Sequence, residues 1–154
     1  MGPGLHVTPG SSGIVWRDAD KAGKFHAQAT FTQTKPVQHP EGYGLFIAGS
    51  DLTGPAQKYV YFLIRSDGSY LIKKRDGTAT SDVKAWGPHE AVVKVDSAGK
   101  ATNKLEVDAN GAKVVFKVNG KTVHEMDLAD RDGVVGLRVN HGLDLHIADF
   151  AVHK

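Results

Sequence analysis

The 154-residue sequence contains no cysteine. That absence excludes a disulfide framework, thiolate metal sites and a cysteine nucleophile. Glutamate is scarce, with only Glu41, Glu90, Glu106 and Glu125. No apolar run approaches the roughly eighteen residues of a membrane-crossing helix, and no amphipathic helix offers a membrane-surface contact. A charge surplus is also missing: nineteen Lys and Arg against seventeen Asp and Glu give +2. The basic run Lys73-Lys74-Arg75 alternates faces and stops at Asp76, a solvated strand end more than a phosphate track. No Gly-rich strand-to-helix loop is present. Neither nucleic acid nor membrane insertion is therefore expected.

What is there suits a soluble domain. Hydrophobic residues make up 40% and charged residues 23%, which argues against disorder. A chain of this length buries roughly two-thirds of its unfolded surface, so a single domain over residues 1–154 needs no covalent clip. Seventeen Val and five Ile against ten Leu lean towards strand, and eighteen Gly serve as punctuation. Apolar residues alternate, and no window keeps a 3.6-residue period. Turn pairs recur at Asp67-Gly68, Asp76-Gly77, Asn110-Gly111, Asn119-Gly120, Asp132-Gly133 and His141-Gly142, several at the spacing of hairpin strands. Three longer loops are expected, at residues 34–41, 49–58 and 77–89. The expected fold class is all-β, an antiparallel sandwich.

Register follows from keeping one face apolar, because a one-residue slip exchanges the faces. A two-residue type I′ turn at Asn110-Gly111 pairs Val107 with Val114 and Leu105 with Phe116. The same turn class at Asn119-Gly120 pairs Phe116 with Val123. A three-residue loop at Ser66-Asp67-Gly68, with Gly68 left-handed, pairs Ile64 with Tyr70 and Phe62 with Ile72. A similar loop at Asn140-His141-Gly142 pairs Val139 with Leu143 and Leu137 with Leu145, and sets Arg138 across from Asp144. Near Ala148-Asp149 the apolar phase slips, which predicts a β-bulge.

The stretches 43–49, 59–68, 104–123 (with its Val118-Asn119-Gly120-Lys121 turn) and 133–152 together resemble a concanavalin A-like jelly roll. The likeness is nearest to small bacterial secreted domains of the laminin-G and family 16 glucanase shape, including the 3-keto-disaccharide hydrolase family, and spans roughly residues 4–153. It implies two sheets back to back, the concave one often binding sugars. It also implies export, to a secreted or periplasmic location with any signal peptide removed. The acidic triplet of family 16 glucanases, Glu-x-Asp-x-Glu, is incomplete here. Glu106-Val107-Asp108 is its nearest approach, and it reads better as a solvated outer face than as a catalytic pair.

If Val60, Phe62, Ile64, Tyr70 and Ile72 face the core, then Tyr59, Tyr61, Leu63, Leu71, Lys73 and Arg75 share the opposite face. Tyr61 lies opposite Lys73 and Tyr59 opposite Arg75. Rings with a polar tip beside long donors suit a sugar. Cross-strand cation–π stabilisation of a solvated sheet would use the same residues. Trp86, expected in the 77–89 loop, would close over the groove, with Arg138, Asp144 and His146 on the same concave side or its rim. The ligand-binding set is thus Tyr59, Tyr61, Lys73, Arg75, Trp86 and Arg138, and the expected partner is a saccharide or cell-envelope glycan. The alternative is a hydrolase or lyase on modified disaccharides, with Asp144 or His146 as acid/base. A third possibility is an interaction module without a small ligand.

Eight histidines invite a metal test. His6, His26 and His146 fall on strand phases opposite the core, and two of them with Asp144 make a conceivable zinc or copper site. Calcium on Asp51 or Asp82 is a family-level possibility. Spacing alone assembles no ligand set, so no cofactor or metal is assigned. No Gly-x-Ser-x-Gly elbow is present.

Overall fold

The computed structural model describes residues 5–7, 13–37, 40–129, 131–140 and 142–154; for residues 5–7, 18 and 19 only the backbone is described. Twelve strands are described: β1 (Leu5–Val7), β2 (Gly13–Ala22), β3 (His26–Gln33), β4 (Tyr43–Ser50), β5 (Lys58–Ile64), β6 (Ser69–Asp76), β7 (Ala79–Pro88), β8 (Ala101–Asp108), β9 (Val114–Val118), β10 (Lys121–Met126), β11 (Gly133–Val139) and β12 (Leu145–His153). They form two six-stranded antiparallel sheets, ordered β1-β12-β3-β8-β9-β10 and β2-β11-β4-β5-β6-β7.

Alternating side chains from the two inner faces make the core. Phe31, Leu105, Val107 and Phe116 of the first sheet meet Tyr43, Leu45, Phe62, Ile64 and Ile72 of the second. The Phe62 and Phe116 rings contact edge-on across the sandwich, with centroids 5.2 Å apart. Tyr43 is fully buried there, and the desolvation pushes its phenol up to about 12 despite a hydrogen bond with Asn103.

The β5–β6 hairpin forms as the sequence predicts: Ile64 faces Tyr70, Phe62 faces Ile72, and Gly68 takes φ +85°. The Asp67 carboxylate accepts the Ser69 amide and so closes the turn. Asn119 and Gly120 both adopt positive φ, as a type I′ turn requires. A bulge then places Phe116 opposite His124 instead of Val123. The bulge after Ala148 is present, with Asp149 at φ +56°.

Three further expectations are corrected. At Asn110-Gly111 the pairing is Val107 with Phe116 and Leu105 with Val118, so no two-residue turn forms. The Arg131 guanidinium holds the wider loop by donating to the carbonyls of Ala109, Gly111 and Ala112. The shift is two residues, so the buried faces are unchanged. Residues 77–89 are not a loop: Gly77 and Thr78 make the turn, and β7 continues as the edge strand. Its polar, exposed side chains hide the strand pattern, because an edge strand buries neither face well. Finally, β11 and β12 do not pair. Leu137 lies between Val15 and Leu45 in one sheet, whereas Leu145 pairs with Val7 and Gln33 in the other. His141 itself lies outside the described residues.

Candidate functional site

The face of the second sheet turned away from the core is built in rows. One row runs Ile14, Arg138, Gly44, Leu63, Leu71; the next runs Trp16, Gly136, Phe46, Tyr61, Lys73, Asp82; Tyr59 pairs with Arg75 beyond them. Phe46, Tyr59, Tyr61, Leu63 and Leu71 form a second apolar cluster here, flanked by Ile14, Trp16, Leu52 and Trp86. The glycines leave room in these rows. A Cβ on Gly136 would lie 2.5 Å from the Phe46 ring, which occupies that space instead.

Arg138 lies over this cluster. Its guanidinium carbon is 4.6 Å from the Tyr61 ring centroid and 5.9 Å from that of Tyr59. Its Nη1 donates to the Tyr59 hydroxyl at 2.6 Å. Two hollows open on either side. One of about 340 Å³ is lined by Ile14, Leu52, Gln57, Tyr59, Arg75 and Arg138. The other, about 210 Å³, is walled by Tyr61, Leu71, Lys73, Trp86, Arg138 and Asn140. Arg138 is the wall they share. Its Nε–H is buried without an acceptor, and the Asn140 Oδ1 is buried without a donor. Both atoms are closed off from solvent, so these unmade bonds are a cost that the fold itself carries.

Tyr59, Tyr61, Lys73, Arg75, Trp86 and Arg138 are all on this face, and Tyr61 is opposite Lys73 as the register requires. Two details differ from the sequence expectation. Tyr59 and Tyr61 are only 3% and 7% exposed, so their ring faces are taken by Phe46, each other and Arg138. Trp86 is fixed on β7 with Arg65 stacked 4.2 Å over its ring, and is not a loop residue closing from outside.

Asp144 and His146 are not part of this face. His146 is in the first sheet, opposite His6 and Thr32. Asp144 precedes β12, where the Thr34 hydroxyl bonds its carboxylate. The failed β11–β12 pairing is the reason: the chain crosses between sheets after Arg138. Glu106 is also on the first sheet, where it pairs with His26 at 2.8 Å and lies 3.8 Å from Lys104. Among the described residues, no cluster of three His, Asp or Glu is arranged to hold a metal ion. Asn140 was missed, although it stands two residues after Arg138 and therefore shares its face. Gln57 and Leu52 reach the site from the β4–β5 connection, the expected 49–58 loop, although nothing in its local pattern says which face it lies against.

No protein-family model and no curated protein matches this sequence. Solved structures do match it. The carbohydrate-binding module CBM66 from Bacillus subtilis superposes with a TM-score of 0.74 at 12% identity, covering 99% of this chain and 92% of that one. The fold is a concanavalin A-like jelly roll. Sheep galectin-11, in complex with glycerol, shares this jelly roll at TM-score 0.63 and 13% identity, over 95% of this chain and 99% of the galectin. The Bacillus licheniformis β-glucanase does so at 0.60 and 10%, over 87% and 68%.

Proposed function

We propose that this jelly roll is a carbohydrate-recognition module that binds a saccharide on the open face of its second sheet. The observation that carries the proposal is one hollow that needs an apolar partner at Tyr61, Leu71 and Trp86 and a hydrogen-bonding partner at Lys73, Arg138 and Asn140. A sugar offers hydroxyls that both donate and accept, together with apolar C–H faces, and so meets both needs. The likeness in fold to a carbohydrate-binding module and to a galectin supports the same reading. The proposed ligand source is a glycan outside the cytoplasm, such as a cell-envelope polysaccharide. The carboxylates that a hydrolase would need, Glu106, Asp108 and Asp144, line neither hollow.

The test is a titration of the chain against an oligosaccharide panel, followed by intrinsic fluorescence, since Trp16 and Trp86 both border the face. Asn140→Ala removes an unpaired acceptor, so the melting temperature should change little. Binding should weaken about five- to tenfold, the worth of one hydrogen bond. Unchanged affinity in that variant, or no response to any saccharide, would sink the proposal and favour an interaction module.

A further inference from the structure

Building on the saccharide reading, we propose that the groove selects an acidic sugar, whose carboxylate pairs with Arg138. Arg138, Lys73 and Arg75 line the two hollows, and among the described residues no carboxylate does. Lys73 already has Asp82 at 3.6 Å, and Arg75 donates its Nε to the Gly77 carbonyl. Arg138 has neither kind of partner. Among the described residues no carboxylate lies within ion-pair distance of it, and its one hydrogen bond is to the neutral Tyr59 hydroxyl. A largely buried cation without a counter-ion is an unfavourable arrangement that an anionic ligand relieves.

The geometry specifies which anion suits it. Tyr59 engages Nη1, and the Tyr61 ring supports the guanidinium plane. Nε is covered by the protein, which leaves Nη2 as the guanidinium N–H that can meet an anion in the hollow, and a carboxylate oxygen accepts from it in a charge-assisted N–H···O bond. Asn140 lines the same hollow, where its side-chain amide is placed beside the ring hydroxyls of the same sugar. A uronic acid presents this combination of a planar carboxylate on a ring that also carries hydroxyls.

The experiment is calorimetric titration of the unmodified chain with uronic-acid oligosaccharides of the gluco, galacto and manno series. Each is compared with its carboxyl-reduced neutral counterpart and with a sulfated neutral counterpart. At least one uronate should bind about tenfold or more tightly than its reduced form, and that preference should shrink as salt is raised. Arg138→Gln should bring the pair to parity. Tyr59→Phe, which removes only the hydroxyl that orients Nη1, should cut the preference severalfold, so the test does not depend on one variant folding. Equal binding of uronate and neutral sugar overturns the acidic preference while leaving saccharide recognition standing. Preference for the sulfated sugar overturns the carboxylate assignment. Failure of every saccharide to bind overturns both proposals.

Discussion

Gly136 and Arg138 stand two residues apart on β11 and divide the open face between them. The missing side chain at Gly136 admits the Phe46 ring, Phe46 packs 5.3 Å from Tyr59, and Tyr59 holds Nη1 of Arg138. The orientation of Arg138 thus depends on a glycine it does not touch. In Gly136→Ala, the new Cβ meets both the Phe46 ring and the Val15 carbonyl at 2.5 Å. The expected cost is about 1–3 kcal/mol of overpacking, seen as a melting temperature lowered by several degrees. A scanning-calorimetry trace that coincides with the parent's would show that the ring moves aside freely. At this scale the sequence was readable where alternation decided the matter. Tyr59, Tyr61, Lys73 and Arg75 were assigned to one face because strand residues two apart point the same way. That the tyrosine rings are covered, with Arg138 lying on them, was not readable, because the covering side chain comes from a strand more than seventy residues distant.

Among the elements, the β9–β10 hairpin shows how a turn residue serves two purposes. Asn119 supplies the positive φ. Its amide also donates to the Ala91 carbonyl and the Asn103 Oδ1, and accepts from the Lys104 backbone. Asn103 in turn bonds Val93, so the long β7–β8 connection is pinned to the hairpin. Asn119→Gly keeps the backbone geometry and deletes only these bonds. We expect it to cost about 1–3 kcal/mol in urea unfolding with an unchanged m-value; a loss below about 0.5 kcal/mol would reduce Asn119 to a turn former. Turns were legible when the two strands closed on each other with no outside help, as at Gly68 and Asn119. The Asn110-Gly111 turn was misread because Arg131 and the Phe25 carbonyl, which bonds the Ala109 amide, widen the loop from elsewhere.

On the scale of the molecule, the two sheets are tied where β10 approaches β6 and β7. The Tyr70 hydroxyl donates to the Val123 carbonyl, and His124 lies near Lys84. Burial, reinforced by the Lys84 charge, lowers the His124 pKa below its ordinary 6.5. The unfolded chain therefore takes up this proton more readily than the folded one. The stability contributed by neutral His124 is present above pH 6.5 and is lost as pH falls through the lowered value. Asp67 works in the same direction further down. Burial opposes its ionisation, but hydrogen bonds from Ser69 and Arg65 and the Arg65 charge prevail and hold it below 3.8. Melting temperatures should accordingly begin to fall below pH 6.5 and fall again in strong acid. In His124→Gln the first decline should vanish and the second persist; an unaltered decline between pH 6.5 and 5 would assign it to another group.

The sequence by itself determined the strand class, the core face of β5 and β6 and the self-contained hairpin turns. Each of these is set by residues within a few positions of one another, through side-chain alternation and the φ demanded at a turn. Only the tertiary structure decided that β11 and β12 part company after Arg138. The same crossing carries Asp144 and His146 away from the groove and leaves Asn140 beside it. Both sheets accept an apolar strand equally well, so the choice between them rests on contacts with β2, β4, β1 and β3 that no local pattern encodes.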